Sequence, residues 1–322
     1  MAEITINPQE SAPYSWDGFR ETLSRLFGRK IERGTPPIEF LLNDTIASKR
    51  AQVRISDCDV DSFCVVTHDN NPIHRSAYIA KEILCLPEEK KVVPGVQLAA
   101  LGEEYINEAL VVINDRWNLD LKFVGSNIRF KKWIHPGDNV YWQVIKHREL
   151  DQGADLIIEG RIGKRSGPLG IGLVAYLRRS MPIPKPSIEG DPLFRWTDEY
   201  TFNRKELDWF YTSVGEPPRE QIPWTYPIAL IVASMLKKTL GPNGIPEGIN
   251  RDMEFNYHKT HYLSNPGDSS SVKIDFYEAR PIRDMTRRGL GFGYTLDALC
   301  IQNGEPLVSG RIQATTKRKI EY

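Results

Sequence analysis

The chain has 322 residues, long enough for two domains, and 40% of them are hydrophobic, which supports a packed core and argues against disorder. Its 42 basic and 42 acidic side chains cancel, so no charge excess marks a nucleic-acid partner or an anionic membrane. The longest apolar run, residues 226–236, is too short to cross a bilayer and runs into Lys237 and Lys238, so it reads as a buried helix.

Residues 1–11 are polar and acidic, without the basic start and apolar middle of a secretory leader. Cys58, Cys64, Cys85 and Cys300 are scattered, with no C-x-x-C pair, and read as reduced thiols and not as a disulfide framework or a zinc site. The expectation is a cytoplasmic protein with no metal.

A first helix is expected over residues 15–28, where Phe19, Leu23, Leu26 and Phe27 share one face. Residues 1–38 are read as a helical extension. The first domain is placed at residues 39–179. In it a strand-like or turn segment leads to Asp69, and a helix runs from about His74 to Cys85. A second helix opens at Pro94-Gly95, with Val96, Leu98, Leu101, Tyr105 and Ala109 as its apolar positions. Strands follow, because Val140, Trp142 and Val144 alternate, as do Leu156, Ile158, Gly160 and Ile162. Pro182, Pro184, Pro186 and Pro192 then break both helix and strand, so residues 180–194 read as a linker.

Residues 195–322 repeat the order. Asp208-Trp-Phe210 resembles Asp61-Ser-Phe63 at a spacing of 147 residues, a long helix is expected over residues 227–240, and Pro266-Gly-Asp268 repeats Pro136-Gly-Asp138. Val272, Ile274 and Phe276 alternate after the second turn, and the last strands are placed near residues 294–301 and 307–316. Two α+β units, each a long helix on an antiparallel sheet, fit this pattern, the alternative being an unrelated second domain that shares a Pro-Gly-Asp turn.

The chemistry concentrates in Asp69-Asn-Asn71-Pro72-Ile73-His74. Pro72 fixes its own φ and steers Asn71 away from helical geometry, so the segment is a stiff bend into a helix start. Such a bend lets a carboxylate and an imidazole five residues apart converge on one water. Groups whose ordinary pKa values straddle neutrality can share its proton transfers. Asn71 can hold the bend through nearby backbone. Gly95, at a helix start, offers a free N–H where the helix dipole is positive, suited to an oxygen gaining negative charge. An Asp/His pair at this spacing is also common in surface turns, and Val-Pro-Gly in ordinary helix-start loops. It is their order together that singles them out.

That order resembles the MaoC-like hydratase family. Asp69, Asn71, Pro72 and His74 match its D-x-N-P-x-H signature, with Ala77 as the small residue that follows. Pro94-Gly95 stands where the family commonly has His-Gly, so the glycine is kept and the histidine replaced. Ile128-Arg-Phe130 through Pro136-Gly137-Asp138 looks like its strand and turn. The resemblance implies the hot-dog fold, here a double hot dog that mimics within one chain the dimer of single-copy relatives. A homodimer of the whole chain is left open.

It also implies a lyase interconverting (R)-3-hydroxyacyl and trans-2-enoyl thioesters of fatty-acid or polyketide metabolism. The acyl group would be carried on CoA or an acyl-carrier protein, with no cofactor. Asp69 and His74 would be the catalytic pair, with Asn71 and Gly95 in support. Arg75, Lys131 and Lys132 are candidates for a basic mouth. The alternatives are a thioesterase or tailoring enzyme on the same fold, and a non-catalytic acyl-binding subunit. At the 147-residue spacing Glu216 stands opposite Asp69 and Gln221 opposite His74. The second copy is therefore expected to be silent, with Trp209, Phe210, Trp224 and Tyr226 as candidates to line an acyl tunnel. His68 and His135 read as loop residues, and His258 with His261 as strand or loop positions without a third metal ligand.

Overall fold

The computed structural model describes residues 52–117, 120–148, 156–163, 169–179, 195–239, 248–259, 262–263, 265, 267–284 and 292–316. The expected extension, the linker and His261 lie outside the described residues, as do the side chains of Ala109, Trp142, Val144, Leu156 and Ile158.

After the short strand β1 (Gln52–Arg54) comes helix α1 (Asp57–Val66), where a strand or turn was expected. The reason is a capping box: Ser56 Oγ accepts from the Asp59 N–H at 3.2 Å, and Asp59 Oδ2 accepts from the Ser56 N–H at 2.7 Å. Val60, Phe63, Cys64 and Val66 then fall on the buried face. The helix expected from His74 to Cys85 is two pieces, α2 (Pro72–Arg75) and α3 (Ala77–Leu84), broken at Ser76, which is extended and caps α3. The long helix α4 (Gly95–Trp117) starts at the expected glycine. Strands β2 (Leu121–Phe130), β3 (Asn139–Arg148), β4 (Leu156–Gly163) and β5 (Leu169–Arg179) complete the first half.

The second half runs β6 (Arg195–Asn203), α5 (Arg204–Ser213), α6 (Thr225–Thr239), β7 (Gly248–Tyr257), β8 (Ser269–Asp284), β9 (Phe292–Gln302) and β10 (Glu305–Thr316). Residues 222–236 are buried, which accounts for the apolar run that gives α6 no polar face. Among the described residues no helix is long and apolar enough to cross a membrane.

All ten strands form one antiparallel sheet in the order β1-β3-β4-β5-β2-β7-β10-β9-β8-β6. Read outward from its centre, each side repeats the same connection pattern. The halves join edge to edge where β2 pairs with β7, Ile128 opposite Met253, so neither inner edge is left unpaired. Helix α4 packs on β2, β4 and β5, α6 packs on β8, β9 and β10, and the two helices touch. This is the double hot dog, with one continuous core through both halves.

The repeat is detailed. Helices α1 and α5 start 147 residues apart, at Asp57 and Arg204. Asn203 and Glu206 rebuild the capping box of Ser56 and Asp59. Phe63 meets its counterpart Phe210 with ring centroids 5.4 Å apart. Past each helix the chain turns through positive φ, at His68 (56°) and at Gly215 (77°). Helices α4 and α6, however, start 130 residues apart, at Gly95 and Thr225, and the Pro-Gly-Asp turns keep that second spacing. Seventeen residues are thus missing from the second half between Glu216 and Thr225, since the offset falls from 147 to 130. Those residues correspond to the α2–α3 excursion. This corrects the pairing of Gln221 with His74. Gln221 forms a β-bridge with Tyr262, and α2 has no counterpart.

Candidate active site

The α2–α3 excursion carries its own small core, in which Ile73, Ala80 and Val92 pack with Ile83, Leu84, Leu86 and Trp133. Its backbone is stitched to the strap that precedes α4. The Val92 N–H donates to Ile73 O at 3.1 Å, and the Val93 N–H to Ile134 O at 2.8 Å. His135 Nδ1 bonds Lys91 O at 2.7 Å, and the Lys91 ammonium reaches Asp61 at 2.8 Å. The strap places the Val92 carbonyl 2.7 Å from His74 Nδ1. A carbonyl only accepts, so Nδ1 carries a proton, and in the neutral ring Nε2 is then the nitrogen with the lone pair.

That Nε2 lies 3.9 Å from Asp69 Oδ2, with both side chains buried. The bend between them is held at each point. Asp69 Oδ1 accepts from the Asn71 N–H at 2.9 Å, and Asn71 Oδ1 caps α2 by accepting from the Ile73 N–H at 3.3 Å. Arg75 Nε donates to the Asp69 carbonyl at 3.2 Å and a second nitrogen to Cys64 O at 3.5 Å. Arg75 thus braces the loop and does not line the cavity, unlike the basic-mouth role expected for it. Burial first, and then the Asp69 charge, push the Cys64 thiol well up, which keeps it protonated and poorly nucleophilic.

Asp69, Asn71, His74 and Gly95 all line one cavity of about 460 Å³. Gly95 opens α4, so its N–H has no partner within the helix. A Cβ at this position would stand 2.0 Å from Phe130 Cε1, so any other residue requires the ring to move. The apolar wall includes Val96, Leu98 and Ile171 of the first half and Val232 and Leu236 of α6. Lys131 and Lys132 lie at the exposed rim beside Trp133. Arg129 is there too, paired with Asp252 of β7 at 3.1 Å.

The second half therefore contributes to the cavity, but not through the aromatics expected. Trp224 stacks on Tyr257 at 4.8 Å, and Tyr226, fully buried, donates its hydroxyl to Val66 O at 3.1 Å. Neither lines the cavity, and Phe210 is core while Trp209 is exposed. Sequence reading missed Val92, Val232 and Leu236, because a carbonyl and two aliphatic side chains carry no signal of their own. His68 lies against Tyr200 at 5.2 Å and does not line the cavity, and burial lowers its pKa, with Glu206 opposing and Lys237 adding to the shift. His258 bonds Ser309 at 2.8 Å.

The sheet and its two long helices define a double hot-dog protein, with the buried Asp/His pair lining a cavity of the first half. Solved structures share that fold. One described as a MaoC-like dehydratase aligns with a TM-score of 0.57 at 9% identity, over 83% of this chain and 96% of its own. A MaoC-like dehydratase from Phytophthora capsici aligns at 0.53 and 11% identity, over 85% and 98%. A conserved hypothetical protein from Mycobacterium tuberculosis, described as having a double hot-dog fold, aligns at 0.53 and 9% identity, over 83% and 94%. No protein-family model matches the sequence, and no curated protein matches it.

Proposed function

We propose that the chain is a hydro-lyase that interconverts (R)-3-hydroxyacyl and trans-2-enoyl thioesters. The observation that carries this reading is the 3.9 Å gap between Asp69 Oδ2 and His74 Nε2 in a buried cavity. The gap is too long for a direct hydrogen bond and fits a shared water. A water oxygen about 2.8 Å from each atom sees them about 90° apart, close to the angle between its own two hydrogens. Both its protons are then held, and its lone pairs are left facing the substrate.

In hydration, the water oxygen bonds to the β-carbon as one of its protons passes to the pair, and the α-carbon takes a proton from the pair. Dehydration runs the same transfers backwards. The thioester oxygen gains charge as the α-carbon becomes enolate-like, and the Gly95 N–H at the positive end of α4 would hold it. The aliphatic wall suits an acyl chain. Lys131 and Lys132 at the rim suit the anionic carrier, CoA or an acyl-carrier protein.

The test is turnover of crotonyl-CoA, followed as loss of enoyl absorbance, with the configuration of the 3-hydroxy product. Turnover to the (R)-product is expected. Release of free CoA thiol without hydration would instead make the protein a thioesterase, and binding without either would make it an acyl-binding subunit.

A further inference from the structure

The two halves differ at a second place besides the missing excursion. Thr225 is the counterpart of Gly95, so its N–H corresponds to the one that opens α4 where Gly95 lines the cavity, whereas the Trp224 N–H has no equivalent because Pro94 stands there. In the second half both groups are taken. The Trp224 N–H donates to Glu103 Oε1 at 2.7 Å and the Thr225 N–H to Glu103 Oε2 at 2.8 Å. Glu103 comes from α4 and is 1% exposed. Its neighbour Glu104, also buried, pairs with Arg219 at 2.6 Å, and Arg219 reaches Glu216, the counterpart of Asp69, at 3.3 Å. At the 130-residue spacing the α6 equivalents of Glu103 and Glu104 are Ala233 and Ser234, which carry no carboxylate.

We propose that the N-terminus of α6 is a retained anion site, closed from within by the Glu103 carboxylate as its permanent internal ligand, so that each chain offers one thioester site, in the first half. A carboxylate whose two oxygens each take a backbone N–H at a helix N-terminus sits as a bound anion does. Burial raises the Glu103 pKa, while the Thr225 side chain, the Thr225 and Trp224 N–H groups and the Asn107 side chain pull it down, so the N–H groups share in opposing the cost of the buried charge. Calling the open counterpart a thioester site rests on the function proposed above. The plug itself rests on the pseudo-symmetry and the two hydrogen bonds.

The full chain is compared with Glu103→Ala and Glu103→Gln in sodium acetate and in sodium chloride of equal ionic strength. Removing the side chain leaves a carboxylate-sized space at the start of α6. Acetate is expected to raise the melting temperature of Glu103→Ala by several degrees in a saturable way. The wild type and Glu103→Gln, whose space stays filled, are expected not to respond. An equal response of all three proteins, or none in Glu103→Ala, overturns the proposal. If Glu103→Ala does not fold in chloride, recovery of folded protein on dilution from denaturant is measured in both salts. A higher yield in acetate supports the plug, and equal yields overturn it. The readout is stability, so its failure is distinct from a failure to turn over crotonyl-CoA.

Discussion

Asp69→Asn separates chemistry from architecture. Asn is nearly isosteric, and its amide oxygen can keep the 2.9 Å bond from the Asn71 N–H, so the bend survives. At the Oδ2 position an acceptor becomes a donor, aimed at His74 Nε2 across 3.9 Å. The water then has one acceptor where it had two, and the site has lost a group that can take a proton. Loss of general acid–base help costs about 10²–10⁴-fold in rate, or roughly 2.7–5.4 kcal/mol of transition-state stabilisation. His74→Ala removes the other acceptor and is expected to lose a similar factor. The double variant should fall little below either, since both groups act on one water. The assay is steady-state hydration of crotonyl-CoA, with circular dichroism to confirm folding. A folded, fully active Asp69→Asn protein would refute the reasoning and leave the motif a mere turn.

Gly95→Ala would put a methyl 2.0 Å from Phe130 Cε1, against an ordinary contact of about 3.5–4.0 Å. A stability loss of about 1–3 kcal/mol and a fall in kcat/KM are expected, and an unchanged melting temperature would show that the ring swings aside freely. Leu236→Phe should narrow the far wall of the cavity. Turnover of long enoyl-CoA substrates is expected to drop relative to crotonyl-CoA, and an unchanged ratio would remove α6 from the acyl path. His68 has its pKa lowered in the fold, chiefly by burial, so it stabilises the protein above its unfolded value near 6.5 and this is lost as pH falls through the folded value. His68→Asn, which tolerates the positive φ, should flatten the loss of stability in urea titrations below about pH 6.5, and an unchanged slope would assign that loss elsewhere.

Much of this molecule was open to reading because it depends on short-range chemistry. The bend at Asp69 to His74 follows from Pro72 and Asn71, the start of α4 from Pro94-Gly95, and the burial of α6 from an apolar run with no polar face. Where local signals were subtle the reading failed. The capping box of Ser56 and Asp59 makes a helix of a segment read as strand or turn, and Ser76 divides one expected helix into two.

By itself the sequence determined the motif, the repeat and the two long helices, since each is written in neighbouring residues or in a fixed spacing. Only the tertiary structure decided which groups share the cavity. Pairing of β2 with β7 brings α6 alongside α4, and that contact sets Val232 and Leu236 into the first half's cavity and Glu103 against the start of α6. It also showed that the two spacings, 147 and 130, flank a difference in length, so the second half lacks the imidazole because it lacks the whole excursion and not because Gln221 stands in its place. The physical reason is that hydrogen bonds and packing between residues more than a hundred positions apart depend on strand register. Register is fixed by the whole sheet and leaves no mark on any one segment.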